Sequence, residues 1–119
     1  MKVILDTNFI MELIKNKVDI DDVKKYGGVV VPRQVFIELE KISVEGESRD
    51  RRVAEIAIKI LEKSSVEIIE LDKNYVDLGI EIYAEKHPII LASMDQSLKK
   101  RLKGKARFLE LKAGKKLVL

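Results

Sequence analysis

An α/β fold, three α/β/α layers around a mostly parallel central sheet, is what this 119-residue sequence predicts. Two observations predict it. Short apolar runs recur along the chain, and a stretch with helical spacing separates most of them from the next. The runs are continuous rather than alternating, as strands read when helices cover both faces of a parallel sheet. The length suits one hydrophobic core, with no internal repeat or low-complexity tract, so residues 1–119 are expected to form a single domain.

The elements follow in order. Lys2 to Leu5 (Lys-Val-Ile-Leu) predicts a buried strand. Asp6-Thr7-Asn8 interrupts it, and Phe9, Ile10, Leu13 and Ile14 then recur at helical spacing, with Thr7 or Asn8 expected as the helix cap. Asp21 to Tyr26 reads as a short helical turn closed by Gly27-Gly28, before a second strand, Val29 to Val31, ending at Pro32. Pro32 to Ile42 predicts a helix with Val35, Phe36, Leu39 and Ile42 inward and proline near its first turn, where a missing N–H costs little.

Ser43 to Asp50 is polar, contains Gly46 and is expected to be a loop. From about Arg51 to Lys63 the stripe Val53, Ile56, Ala57, Ile60, Leu61 marks an amphipathic helix whose other face carries Arg52, Glu55, Lys59 and Glu62. Val66 to Leu71 is the third strand, Asn74 to about Lys86 a helix, and Ile89 to Ala92 the fourth strand. Gln96 to Leu102 is a short basic helix and Arg107 to Leu111 a fifth strand. Ala113-Gly114 then turns into Lys115 to Leu119, an edge hairpin.

Composition narrows the chemistry. Apolar residues make up 46% of the chain, and the 36% that are charged exceed the usual share of about a quarter. Cysteine is absent, which excludes disulfides, thiolate nucleophiles and Cys-based zinc or iron–sulfur sites. The lone His87, followed by Pro88, cannot build a histidine-rich metal centre. No apolar run reaches the length of a membrane span, and the first residues read as a core strand rather than a signal peptide, so a cytoplasmic protein is expected.

The net charge of +3 hides an asymmetry. Residues 96–119 carry nine Lys or Arg against Glu110 alone, a charge of +8 that leaves −5 for residues 1–95. A basic end on an acidic body suits a polyanion steered toward a cluster of acids.

Four acids stand out by position. Asp6 follows the first strand; Glu38 lies two turns into the helix after the second; Asp77 lies near the start of the helix after the third; Asp95 follows the fourth. In a parallel sheet all strand carboxyl ends and the helix starts that follow them share one rim, where ligands bind and negative charge is favoured. Each acid also has an ordinary reading: Asp95 as an N-cap, Asp77 and Glu38 as exposed helix acids. Asp6 is harder to dismiss, since an acid directly after a core strand is costly unless paired or metal-bound. Clustered carboxylates repel, so a shared site of four needs a cation, and an oxygen-only set suits Mg²⁺ or Mn²⁺. Such ions bridge to phosphate, which points to metal-assisted phosphodiester hydrolysis.

Asp6-Thr7-Asn8, then Pro32 to Glu38-Leu39, then Asp77, then Ser93-Met94-Asp95 resembles the PIN-domain nucleases along essentially the whole chain. The eighteen-residue step from Asp77 to Asp95 suits that family's third and fourth acids, and Ser93 stands where the family has Ser or Thr. Val29-Val30-Val31-Pro32, Ile37-Glu38-Leu39-Glu40-Lys41, Ser97 to Leu102, Leu109 to Leu111 and Lys116 to Leu119 are similar to an archaeal branch related to the eukaryotic small-subunit rRNA-processing endonuclease. Branch members often carry a second acid beside the third one. Here Leu78 follows Asp77, which leaves Asp77 or Glu81, one turn later, as the residue facing the ion.

The resemblance implies a ribonuclease holding one or two Mg²⁺ or Mn²⁺ ions. Asp6 and Asp95 would contact the metal, with Glu38 and Asp77 completing the site. Asn8 and Ser93 would orient a carboxylate or the attacking water. Lys99, Lys100 and Arg101, with Arg49, Arg51 and Arg52 beside the polar loop, would hold the RNA backbone. It admits two roles, an RNA-processing nuclease or the toxin of a toxin–antitoxin pair, with an antitoxin, a ribosome-assembly factor or a second copy as partner. The rival reading is a non-catalytic RNA-binding or scaffold domain of the same fold. A receiver-like or phosphatase domain fits less well, lacking an active-site lysine after a strand and carrying the extra acid Glu38.

Overall fold

The computed structural model of the chain describes residues 1–71, 76–113 and 115–119. Its elements run β1 (Lys2–Leu5), α1 (Thr7–Lys15), α2 (Ile20–Lys24), β2 (Gly28–Pro32), α3 (Arg33–Glu45), α4 (Ser48–Lys63), β3 (Glu67–Ile69), α5 (Val76–Lys86), β4 (Ile89–Ala92), α6 (Gln96–Arg101), β5 (Arg107–Lys112) and β6 (Lys116–Val118). The strands form one sheet in the order β3-β2-β1-β4-β5-β6, parallel throughout except for β6, which pairs antiparallel with β5.

Strand alternation divides the core in two. Val3 and Leu5 of β1, Val29 and Val31 of β2, and Ile90 and Ala92 of β4 face a layer made by α1 to α4, where Phe9, Leu13, Val23, Leu39, Ala57 and Leu61 are buried against them. Ile4, Val30, Ile89 and Leu91 face the other way, onto Ile80 and Ala84 of α5 and Leu98 of α6. Both faces of the central strands are therefore dry, and their apolar runs are continuous for that reason. The α/β/α expectation holds. Among the described residues, no helix is long and apolar enough to cross a membrane.

The structure departs from the sequence reading at two places. The expected loop over Ser43 to Asp50 is almost entirely helical: α3 continues to Glu45, α4 begins at Ser48, and only Gly46-Glu47 joins them. Ser43 stays in the helix by donating its hydroxyl to the Glu40 carbonyl at 2.6 Å. Gly46 ends α3 with its N–H on the Ile42 carbonyl, where a Cβ would lie only 2.6 Å from that oxygen. The second departure is the cap of α1, which is Asp6 rather than Thr7 or Asn8; the helix already begins at Thr7.

Other boundaries shift by a few residues, as with β3, which spans Glu67–Ile69 rather than 66–71. Asn74, the expected helix start, and Gly114, part of the expected turn, lie outside the described residues. Gly27 is required where it stands: its φ is +158° and a Cβ would meet the Met1 carbonyl at 2.2 Å.

Candidate active site

The site grows from the carboxyl ends of two adjacent strands. Leu5 of β1 pairs with Ala92 of β4, and the Asp6 N–H donates to the Ala92 carbonyl at 3.2 Å. This last rung holds Asp6 extended, with φ −95° and ψ 171°, the backbone an N-cap needs. Its Oδ1 accepts the Phe9 N–H at 2.8 Å, so the first turn of α1 orients one oxygen. The Ser93 hydroxyl donates to the other, Oδ2. Ser93 is fully buried, and its Oγ also accepts the Asp95 N–H at 3.0 Å. One hydroxyl thus ties Asp6 to the backbone of Asp95.

Asp95 caps α6, its Oδ1 accepting the N–H groups of Ser97 at 2.9 Å and Leu98 at 3.2 Å. Its side chain is exposed, so the second oxygen can serve a ligand. Glu38 reaches the same place from α3, where its Oε2 accepts the Thr7 hydroxyl at 2.9 Å. Asp77 stands in the first turn of α5, on the opposite side of the sheet. Asp6, Asn8, Gln34, Glu38, Asp77 and Asp95 all line one cleft of about 270 Å³.

Burial pushes the Asp6 carboxyl above its ordinary value. The Ser93, Phe9 and Met94 hydrogen bonds oppose that shift, and the neighbouring Asp95 charge adds to it. An anion held where it is uncomfortable is what a bound cation relieves. Among the described residues no three acidic or histidine side chains stand close enough to enclose an ion. That spacing excludes a dedicated cage yet fits Mg²⁺ or Mn²⁺, which bind through one or two carboxylates, keep waters and share phosphate oxygens. The donors are hard oxygens with lone pairs to spare, so the residues present fit such an ion.

Glu81 points elsewhere. It lies 3.0 Å from Lys105 Nζ and 4.0 Å from Arg101 Nε and does not line the cleft, whereas Asp77 does. Arg101 is thus partly engaged. Lys99 and Lys100 share its helix turn, on the α5–α6 side of the sheet. Arg49, Arg51 and Arg52 lie on the exposed first turns of α4, in the opposite layer. The two cationic groups therefore lie in opposite layers of the fold.

Two residues escaped the sequence reading as parts of the site. Thr7, 5% exposed, steers Glu38 rather than capping α1. Gln34 donates from Nε2 to the Leu71 carbonyl at 2.7 Å, while its buried Oε1 has no partner among the described residues. The one available signal was spacing, since Gln34 precedes Glu38 by four residues and shares its helix face. A larger cavity, about 590 Å³, lies between α1, α2 and α4, but its walls are mostly apolar and none of the four acids reaches it.

The family model described as a PIN like domain matches residues 3–112 of the chain. No curated protein matches it.

Proposed function

Because the chain belongs to the PIN-like domain family, whose members are generally nucleases acting on RNA, we propose that it is a metal-dependent endoribonuclease cutting at the acid cleft. The observation that carries this reading is the convergence of four carboxylates from four separate elements on one cleft. Asp6 and Asp95 would hold Mg²⁺ or Mn²⁺, with Glu38 and Asp77 across from them. When bound, the ion supplies charge neutralisation at the phosphodiester and acidifies water.

The chain's own residues do the rest. Ser93 and the first turn of α1 fix both Asp6 oxygens, so the carboxylate does not reorganise as charge develops at phosphorus. Thr7 holds Glu38 Oε2 and leaves Oε1 to take a proton from the attacking water. The water oxygen bonds to phosphorus in line with the bond to the 3′-oxygen, which breaks and takes up a proton. Asn8, exposed in the cleft, would orient the water or a phosphate oxygen. We read residues 1–119 as one nuclease domain working in the cytoplasm. Its role would be RNA processing of the kind suggested by the archaeal rRNA-processing branch, or that of a toxin in a toxin–antitoxin pair.

The experiment is cleavage of end-labelled single-stranded RNA in Mg²⁺ or Mn²⁺, with the new ends identified. Fragments carrying 5′-phosphate and 3′-hydroxyl are expected. Cyclic 2′,3′-phosphate ends would refute attack by water, and intact RNA would instead support a non-catalytic member of the family.

Capture of RNA falls to the two cationic groups. Lys99→Ala, Lys100→Ala and Arg101→Ala together are expected to weaken RNA binding similarly for all sequences. Each lost phosphate contact flattens the dependence of log K on log salt by roughly 0.7. Arg101 should contribute least, because Glu81 already engages it. An unchanged salt slope would move the binding role to Arg49, Arg51 and Arg52.

A further inference from the structure

We infer that the groove beside the acid cleft is a base subsite, taking the nucleobase of one nucleotide that flanks the scissile bond, with Met94 as the surface it packs on. The inference rests on the nuclease reading above. The acid cleft shares Asn8 with a second groove of about 400 Å³, whose walls include Met11, Glu12, Lys15, Asp50 and Met94. Met94 sits between Ser93 and Asp95, the two residues that tie Asp6 to the start of α6. Although it follows the end of a buried strand, its side chain is 43% exposed. A phosphodiester positioned for cleavage in the acid cleft would therefore have a flanking sugar and base beside Met94.

The chemistry of the groove favours a base over a phosphate. Its charged members are Glu12, Asp50 and Lys15, an anionic balance that repels backbone. Methionine offers a polarizable surface that packs well on an aromatic ring. The groove's ammonium is already engaged, with Lys15 Nζ 3.3 Å from Asp50 and 3.8 Å from Glu12. What remains are carboxylate lone pairs, acceptors for the exocyclic amino groups of adenine, guanine or cytosine, which uracil lacks. The groove also shares Lys15 with a third depression lined by Arg49 and Arg52, where the backbone of the next nucleotides meets positive charge. Strand direction follows: from the acids, past Met94, toward the start of α4.

The test is a set of single-stranded oligonucleotides differing only at the two positions flanking the cleaved bond, carrying A, C, G, U or an abasic sugar, cut by wild type and by Met94→Ala. At one flanking position the abasic sugar is expected to lower kcat/KM by about threefold to tenfold, with uracil between the abasic sugar and the amino-bearing bases. Met94→Ala should lose a similar factor on the intact base and become indifferent to the abasic change, because both remove the same contact. Wild-type cleavage insensitive to abasic sugars at both positions, or losses that multiply, would overturn the subsite while leaving the nuclease reading intact. Failure of wild type to cut any oligonucleotide would overturn both.

Discussion

Asp6→Asn is expected to reduce cleavage by at least about a thousandfold while leaving the protein as stable as wild type, or more so. The activity loss follows from removing the negative charge that would hold the ion. The stability result follows from the hydrogen bonds. Asparagine is as good an N-cap as aspartate, so its Oδ1 can keep the Phe9 N–H at the start of α1. Its amide can donate to Ser93 Oγ in place of the present bond from that hydroxyl. What disappears is a carboxylate that burial disfavours.

The same argument sets a pH dependence. With its folded pKa raised above 3.8, Asp6 binds its proton more tightly in the folded state than in the unfolded one. The penalty is absent below the unfolded value, grows as pH rises from about 3.8 to the raised value, and is constant above it. Any advantage of Asp6→Asn in urea unfolding should be present at pH 7 and vanish below about pH 3.8. Asp6→Ala should instead lose roughly 1–2 kcal/mol at either pH, since it forfeits the cap and strands the buried Ser93 hydroxyl. A large destabilisation by Asp6→Asn itself would make that residue a structural hub first and a ligand second.

The strands were legible because β1, β2 and β4 are buried on both faces and so contain almost nothing polar. The tip of the α3–α4 hairpin was not, because both helices leave the core there. Val44, Glu45, Glu47, Ser48 and Arg49 are all exposed, so the polar composition of a helix pair imitates a loop. Only Gly46 marks the true break. The cap of α1 was ambiguous for another reason. Asp6, Thr7 and Asn8 can all cap, and the choice depends on a long-range rung, Asp6 to Ala92, that fixes the Asp6 backbone.

The site shows the same division between local and distant information. The positions of Asp6 and Asp95 at strand ends can be read from flanking residues alone. The bond between Thr7 and Glu38 joins residues 31 apart, and the choice of Asp77 over Glu81 depends on where Arg101 and Lys105 fall after two more elements. Asp77 and Glu81 are one turn apart on one helix, so no periodicity argument separates them; what differs is that Glu81 meets Arg101 and Lys105 while Asp77 lines the cleft.

Removal of divalent metal is expected to abolish cleavage completely, with activity restored by added Mn²⁺. Among the described residues, the cleft has no histidine or thiolate that could replace the ion. The Asp95 charge also disfavours the ionised form of Asp6, so Mn²⁺ should raise the melting temperature of wild type and do so less for Asp95→Asn. The most direct measurement is the anomalous difference density of a crystal soaked in Mn²⁺. A peak between the Asp6 and Asp95 carboxylates is predicted, lost in Asp6→Asn. Cleavage that persists in excess chelator, with no peak at the cleft of the wild-type crystal, would contradict the account.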